Sequence, residues 1–261
     1  MSFSALGIPE KPVKVDGEWT QSSSIEKIAR QSHYEITKGL LEVYHHNWDS
    51  FTMLTLSRLK ISRILYWAKL YQEILSVPGV ICEFGARYGE TLTQLASLRG
   101  IFEPYNHTRR LVGFDTFEGF PTIHAKDDSH SKVGDYSSGQ VNLDLLESIL
   151  ETHEKLSPLN HIKKFELVKG DVSETINPWL NSNPHVIISM AIFDMDLYKP
   201  TKDALTAIIP RLTRGSLLVF DELNHEKFPG ETRAVAEVLG LNKLQLRRDP
   251  HQSYCAYAVF E

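Results

Sequence analysis

Three acidic clusters close three apolar runs in this chain. Glu83 lies in VICEFGARYGE, Asp194 and Asp196 in VIISMAIFDMDLYKP, and Asp221 with Glu222 in GSLLVFDELNH. An open α/β sheet places its chemistry just beyond the carboxyl ends of its buried parallel strands. Glu83 stands in a glycine-containing strand-to-helix turn, which suggests a nucleoside ligand. The other two clusters are placed to converge on one divalent cation. Neighbouring strands lie about 4.8 Å apart, so acids at adjacent tips can share an ion. Carboxylates completed by water and substrate hydroxyls suit hard magnesium. The bland alternative is that these acids are solvated caps of strands and helices.

In E-F-G-A-R-Y-G-E, residues 83–90, Gly85 and Gly89 leave room for a ligand against the backbone, and a helix starts near Glu90 or Thr91. The dinucleotide fingerprint G-x-G-x-x-G needs one glycine more than this turn supplies, so a dinucleotide is disfavoured. Asp115 closes the strand-like VGFD, where an acid suits two hydrogen bonds to ribose hydroxyls. Asp171, in KGD, is placed to accept a bond from an adenine amino group.

The elements that must position these residues alternate. Residues 23–47 and 51–76 read as two helices, the first with serine caps before Ile25 and Ile28. Tyr44, His45, His46 and Trp48 near their joint suit a helix–helix contact, a wall of the active site or a dimer face. From Gly79, short apolar runs alternate with amphipathic stretches. VICEFG, RRLVGFD, KKFELVKGD, PHVIISMAIFD and GSLLVFDEL read as strands; ETLTQLASLRGIF, LDLLESILETHEKL, PTKDALTAIIPRL and GETRAVAEVLGL read as helices. Pro200 is acceptable in the first turn of its helix. KLQLRRD and YCAYAVFE close the chain as a hairpin. This alternation implies a parallel sheet with helices on both faces and an antiparallel strand at one end. It is the layout of the α/β, Rossmann-like class I methyltransferase fold. The polar stretch 121–142 interrupts the rhythm and reads as a mobile lid or substrate loop. Residues 1–76 are expected to form an arm and helical extension, and residues 77–261 the main domain.

The phrases VICEFGARYGETL, LVGFDTFEGFP, VKGDVSETI, IFDMDLYKPTKDAL and LLVFDE together resemble the macrocin (TylF-type) O-methyltransferase family over roughly residues 77–260. The resemblance implies S-adenosylmethionine as cofactor, a divalent metal (usually magnesium) and a hydroxyl of a sugar-containing small molecule as acceptor. It places Glu83, Gly85, Asp115 and Asp171 around the cofactor, with Glu83 toward its cationic methionine moiety. Phe84, Ala86, Tyr88, Gly89, Thr91, Gly170 and Val172 complete that site. Asp194 serves both cofactor and metal, joined at the metal by Asp221 and Glu222. The family usually carries Asp where this chain has Glu222, whose carboxylate stands a methylene further out. Asp196 is implied as the general base. Tyr198 suits either substrate orientation or packing, and His225 and His251 are alternative bases. The same fold also serves catechol and other polyol methyltransferases, cephalosporin-hydroxylase-like enzymes and non-catalytic nucleoside-binding subunits. Members are often homo-oligomers, and the apolar helix at 51–76 offers an interface.

Composition narrows the field further. Of 261 residues, 42% are hydrophobic and 23% charged, with a formal net charge of −5. There is no basic run, so a nucleic-acid-coating role is not expected. Cys82 and Cys255 both sit in apolar runs and read as two buried thiols in a reducing cytosol. No signal peptide is recognisable, and no stretch approaches the ~20 apolar residues of a spanning helix. A cytoplasmic enzyme without membrane or nucleic-acid partners is the expectation.

Overall fold

The computed structural model describes residues 24–128, 130–138 and 143–261. The arm expected over residues 1–22 and parts of the polar insertion lie outside them. So do the side chains of the serines expected to cap the first helix. The chain divides into two compact units, the first ending at Ile61 and the second running Ser62–Glu261.

The first unit holds α1 (Ser24–Val43), a 3-10 turn (His45–Asn47) and α2 (Trp48–Thr55), and α3 (Arg58–Glu73) begins within it. Two helices were expected here, and there are three. Leu56 is extended, with ψ 115°, and breaks the run. The Ser57 hydroxyl then accepts from the Lys60 amide at 3.3 Å, restarting a helix with a local cap. Tyr44 stacks on Phe51 with ring centroids 4.2 Å apart, a contact between the helices it joins.

The unit boundary falls inside α3 rather than after residue 76. The reason is burial: Tyr66, Trp67, Leu70 and Tyr71 of α3 lie in the core against the sheet. Most of this helix is therefore part of the α/β unit.

That unit alternates as β1 (Val80–Phe84), α4 (Glu90–Phe102), β2 (Leu111–Asp115), α5 (Leu143–Lys155), β3 (Phe165–Lys169), α6 (Val172–Ser182), β4 (Ile188–Phe193), α7 (Tyr198–Ile208), β5 (Leu212–Phe220), α8 (Pro229–Val238), β6 (Arg247–Asp249) and β7 (Gln252–Val259). The seven strands lie in the order β3-β2-β1-β4-β5-β7-β6. β7 runs antiparallel to both its neighbours, while β1 to β5 pair in parallel.

Side chains alternate across each strand, so the sheet buries two faces. Ile81, Met190, Ile192 and Val219 pack with α3, α4 and α5. Phe84, Phe114, Phe193 and Phe220 pack with α6, α7 and α8.

The helix α6 was not anticipated from the sequence. Pro178 lies inside it, and a proline in a helix interior removes a donor and argues against helix. The overlooked signal is D-V-S-E. Asp171 is the N-cap, its carboxylate accepting from the Ser173 amide at 2.9 Å, and Glu174 follows three residues on.

Arg109 fixes the approach to β1. Its guanidinium is 2% exposed and donates to the carbonyls of Val77, Gly79 and Ile74 at 2.7, 2.9 and 3.0 Å, while pairing with Glu103. Bonds of this kind hold the α3–β1 connection and so the height of β1 in the sheet.

Candidate active site

The site begins at an aligned row of aromatic residues. Phe114, Phe84, Phe193 and Phe220 stand in register on four adjacent strands. Their rings stack with centroids 5.0, 5.2 and 5.2 Å apart. The next residue on each strand is Asp115, Gly85, Asp194 and Asp221. Three acids and one glycine therefore sit at one level on neighbouring strand tips. Glu83, on the face opposite the rings, stands one step below.

At the cofactor-side tips, both oxygens of Asp115 are already engaged. Oδ2 accepts from the Arg87 amide at 2.7 Å and Oδ1 from the Phe117 amide at 2.5 Å. Arg87 and Phe117 have φ of 42° and 59°, so Asp115 stabilises two left-handed turns. Each carboxylate oxygen keeps a further lone pair for a ligand hydroxyl. Burial raises the Asp115 pKa, against which the two backbone donors act.

The glycines answer to the chain itself. Gly85 has φ 97°, and a Cβ there would stand 1.9 Å from the Asp194 carbonyl oxygen. A Cβ on Gly89, φ 75°, would stand 2.1 Å from Leu146. A side chain at either position would run into strand or helix packing, so glycine is required there.

Phe84 and Val172 turn their side chains into the core. The Phe84 side chain is fully buried in the aromatic row, and its carbonyl accepts from the Asp194 amide at 2.8 Å. Val172 is buried in the same core. Alternation and helix packing turn both side chains away from the acid row. Ala86 is buried, Gly170 has φ 132°, and Tyr88 remains 40% exposed beside the Arg87 guanidinium. Asp171 caps α6, so one of its oxygens already has a donor.

Glu83 is 2% exposed, and its Oε2 has no hydrogen-bond partner. Burial pushes its carboxyl up to about 8, opposed by the Arg63 charge and a bond to Thr91. Arg63 was missed by sequence reasoning, because α3 read as an extension. Its Nη2 donates to Thr91 Oγ1 at 3.0 Å. Its charge faces Asp221, Asp194 and Glu83, which raise its pKa against burial. Nothing in the sequence set Arg63 apart from Arg58, Lys60 and Lys69 on the same helix.

At the other tips, Asp194, Asp196, Asp221 and Glu222 do gather. Burial comes first, followed by Asp221 and Asp196, in raising the Asp194 pKa well above its usual range. Desolvation and then Asp221 push Asp196 up to about 7. Burial, then Asp196 and Asp221, take Glu222 up to about 8. Asp221 Oδ1 accepts from the Cys255 thiol at 2.7 Å. Cys82 and Cys255 are both buried and unpaired.

A further acid was not foreseen. Glu231, in the first turn of α8, is fully buried. Its Oε1 accepts from the Glu222 amide at 3.1 Å, and its Oε2 has no partner. Burial, then Asp221, raises its pKa strongly. Nothing in its surroundings in the sequence marks it, since GETRAVAEV reads as an ordinary capped helix.

Among the described residues, no three His, Cys, Asp or Glu side chains stand arranged to hold a metal ion. The carboxylates are hard donors, and Glu222 Oε2 has no hydrogen-bond partner.

His225 Nδ1 lies 3.6 Å from Glu222 Oε2, beyond hydrogen-bond range, and its ring stacks on Phe228. His251 is tied to Asp249 at 2.8 Å on the far hairpin. Tyr198 is buried, its hydroxyl donating to Glu237 at 2.6 Å. It packs rather than facing the acids.

A parallel sheet of this strand order, with acids on its carboxyl tips and an antiparallel β7, defines the class I methyltransferase fold. The chain belongs to the macrocin O-methyltransferase (TylF) family, whose model matches residues 44–245. The crystal structure of CalS11, a calicheamicin methyltransferase, is similar with a TM-score of 0.84 and 38% identity, covering 92% of this chain and 95% of that one. An apo structure of CalS11, described as a TDP-rhamnose 3'-O-methyltransferase, gives 0.75 and 37% over 92% of this chain and 97% of that one. A curated relative from Streptomyces olivaceus, 8-demethyl-8-(2,3-dimethoxy-alpha-L-rhamnosyl)-tetracenomycin-C 4'-O-methyltransferase, is 30% identical over 150 residues, or 56% of this chain. The chain spans about half, 53%, of that relative's length.

Proposed function

We propose that the protein is an S-adenosylmethionine-dependent O-methyltransferase acting on a hydroxyl of a sugar, with a nucleotide-linked deoxysugar such as TDP-rhamnose as the first acceptor to test. The observation that carries this reading is the row Asp115, Gly85, Asp194 and Asp221 on four adjacent strand tips, in a member of this family. It divides the edge into an Asp115–Glu83 half and an Asp194–Asp221 half.

When bound, the cofactor supplies an electrophilic methyl group and leaves as S-adenosylhomocysteine. Asp115 accepts from the ribose hydroxyls while keeping its two turn-forming bonds. Asp171 offers its remaining oxygen to the adenine edge. Glu83, with a free oxygen in a dry setting, faces the positive methionine end. Asp194, Asp221 and Glu222 would be the residues to hold a divalent cation, which would supply Lewis-acid activation of an acceptor hydroxyl. Asp196 would act as general base, taking the proton of the acceptor hydroxyl while the methyl passes from the cofactor's sulfur to that oxygen. Much of the acceleration comes from holding the two reactants in line.

We also place the protein in a reducing cytosol, with its two unpaired thiols, and read it as a homo-oligomer. Ile25, Val43, Met53 and Leu54 are each at least 69% exposed, an apolar surface that a second copy would cover. Among the described residues, no helix is long and apolar enough to cross a membrane.

Transfer of labelled methyl from S-adenosylmethionine to TDP-rhamnose, with Asp196→Asn as control, tests the proposal. Failure of the wild-type protein to bind S-adenosylhomocysteine in a calorimeter overturns it.

A further inference from the structure

The polar insertion is fastened down where it meets the acid-bearing edge. Asp127 Oδ1 accepts from the Tyr198 amide at 2.6 Å, and Oδ2 from the His124 amide at 2.8 Å. Tyr198 is the first residue of α7, so this amide has no partner within the helix. A carboxylate brought from elsewhere in the chain satisfies it and complements the positive helix end. The neighbouring residue Lys126 pairs with Glu237, and its carbonyl accepts from Arg233 at 2.6 Å.

The turn immediately before Tyr198 carries Asp196. Asp196 has φ 61°, an uncommon conformation for a residue other than glycine. The Leu197 amide donates to the Met195 carbonyl at 2.6 Å, closing a tight turn around it. Such a conformation persists only where its surroundings impose it. Gly230 of α8 lets those surroundings close in. A Cβ at Gly230 would stand 2.2 Å from Asp127 Oδ1, 2.5 Å from the Tyr198 nitrogen and 3.0 Å from the Asp196 carbonyl oxygen.

We propose that Asp127 is a positioning residue for methyl transfer: by holding the Tyr198 amide it locks the left-handed turn at Asp196 and aims that residue's carboxylate at the acceptor. The inference rests on Asp196 being the base. Residues 124–127 then act as a strap on the catalytic turn.

The test pairs steady-state kinetics with amide exchange. Asp127→Ala lowers kcat by about 10- to 100-fold, the scale of a misplaced catalytic group. It leaves the Kd for S-adenosylhomocysteine within about twofold and speeds exchange of the Tyr198 amide. Asp127→Asn, which keeps an acceptor oxygen, restores most of kcat. Unchanged kcat per folded molecule despite faster Tyr198 exchange overturns the proposal, as does a parallel loss of kcat and cofactor affinity. Should the alanine variant not fold, Asp127→Ser and Asp127→Asn carry the same comparison. Asp196→Asn separates the two readings. If that variant still turns over, the assignment of the base fails; if it is inactive while Asp127→Ala is fully active, the strap alone fails.

Discussion

Arg63 Nη2 stands 3.0 Å from Thr91 Oγ1, joining α3 to the first turn of α4. The same cation also acts by charge on both halves of the site, on Asp221, Asp194 and Glu83. Arg63→Met keeps the apolar stem and removes the charge. The prediction is a loss of stability of about 1–3 kcal/mol, the cost of leaving buried polar partners unmet. Affinity for S-adenosylhomocysteine should fall along with it, because Glu83 and Thr91 lose their anchor. Urea denaturation and calorimetry check the two effects separately. An unchanged melting curve with unchanged affinity would show that the guanidinium is a bystander.

Glu83 makes a prediction about pH. Its carboxyl is raised to about 8 in the folded chain from an ordinary value of 4.5. Between those values the folded state holds a proton that the unfolded state has released. Stability from this group is therefore complete below the ordinary value and is lost as pH rises through about 8. Denaturation midpoints at pH 5, 6.5 and 8 should fall in that order, and Glu83→Gln should flatten the trend. A positive ligand group beside Glu83 favours the ionised form, so cofactor binding near neutral pH should release protons. Calorimetry in buffers of different ionisation enthalpy reads that release directly, and its persistence in Glu83→Gln would assign it elsewhere.

The sequence showed the edge of the sheet better than its supports. The helix expected at ETLTQLASLRGIF is α4, residue for residue, and it starts directly after the glycine turn. The strand tips were legible for a similar reason: apolar runs that stop at an acid. What pattern could not show was which neighbour fills a given space. At Gly85 the Asp194 carbonyl is the neighbour that forbids a side chain. At Phe84 strand alternation buries the ring. Arg63, Asp127 and Glu231 come from separate elements, and only the folded chain brings them to the acids. Pro178 hid α6, although the cap at Asp171 announced it.

Asp115 tests the cofactor half. Asn in its place keeps one acceptor oxygen and turns an amide donor toward a backbone donor. One of the two bonds, to the Arg87 or the Phe117 amide, is then lost. Asp115→Asn should weaken S-adenosylhomocysteine binding at least tenfold and destabilise the chain by about 1–3 kcal/mol. Adenine alone, lacking the ribose hydroxyls, should lose less affinity than S-adenosylhomocysteine in this variant. Equal losses for both ligands would mean that Asp115 shapes the turns without touching ribose.

The acid cluster tests the metal half. Burial, and after it repulsion from neighbouring acids that include Asp221, raises the pKa values of Asp194, Asp196 and Glu222, and Glu222 keeps an unpartnered oxygen. A divalent cation that relieves this repulsion binds the folded state alone and must raise its melting temperature. Magnesium or manganese should therefore shift the wild-type transition upward and leave Asp221→Asn unmoved. Chelator should lower methyl transfer at least tenfold, with recovery on adding magnesium. Glu222→Asp shortens the carboxylate arm by one methylene and should keep the metal response. Full activity in the presence of chelator, with no thermal shift in any variant, would leave the cluster without a cation. The acids would then be a purely protein-held set around Asp196, with Glu231 bound to the Glu222 amide as its buried support.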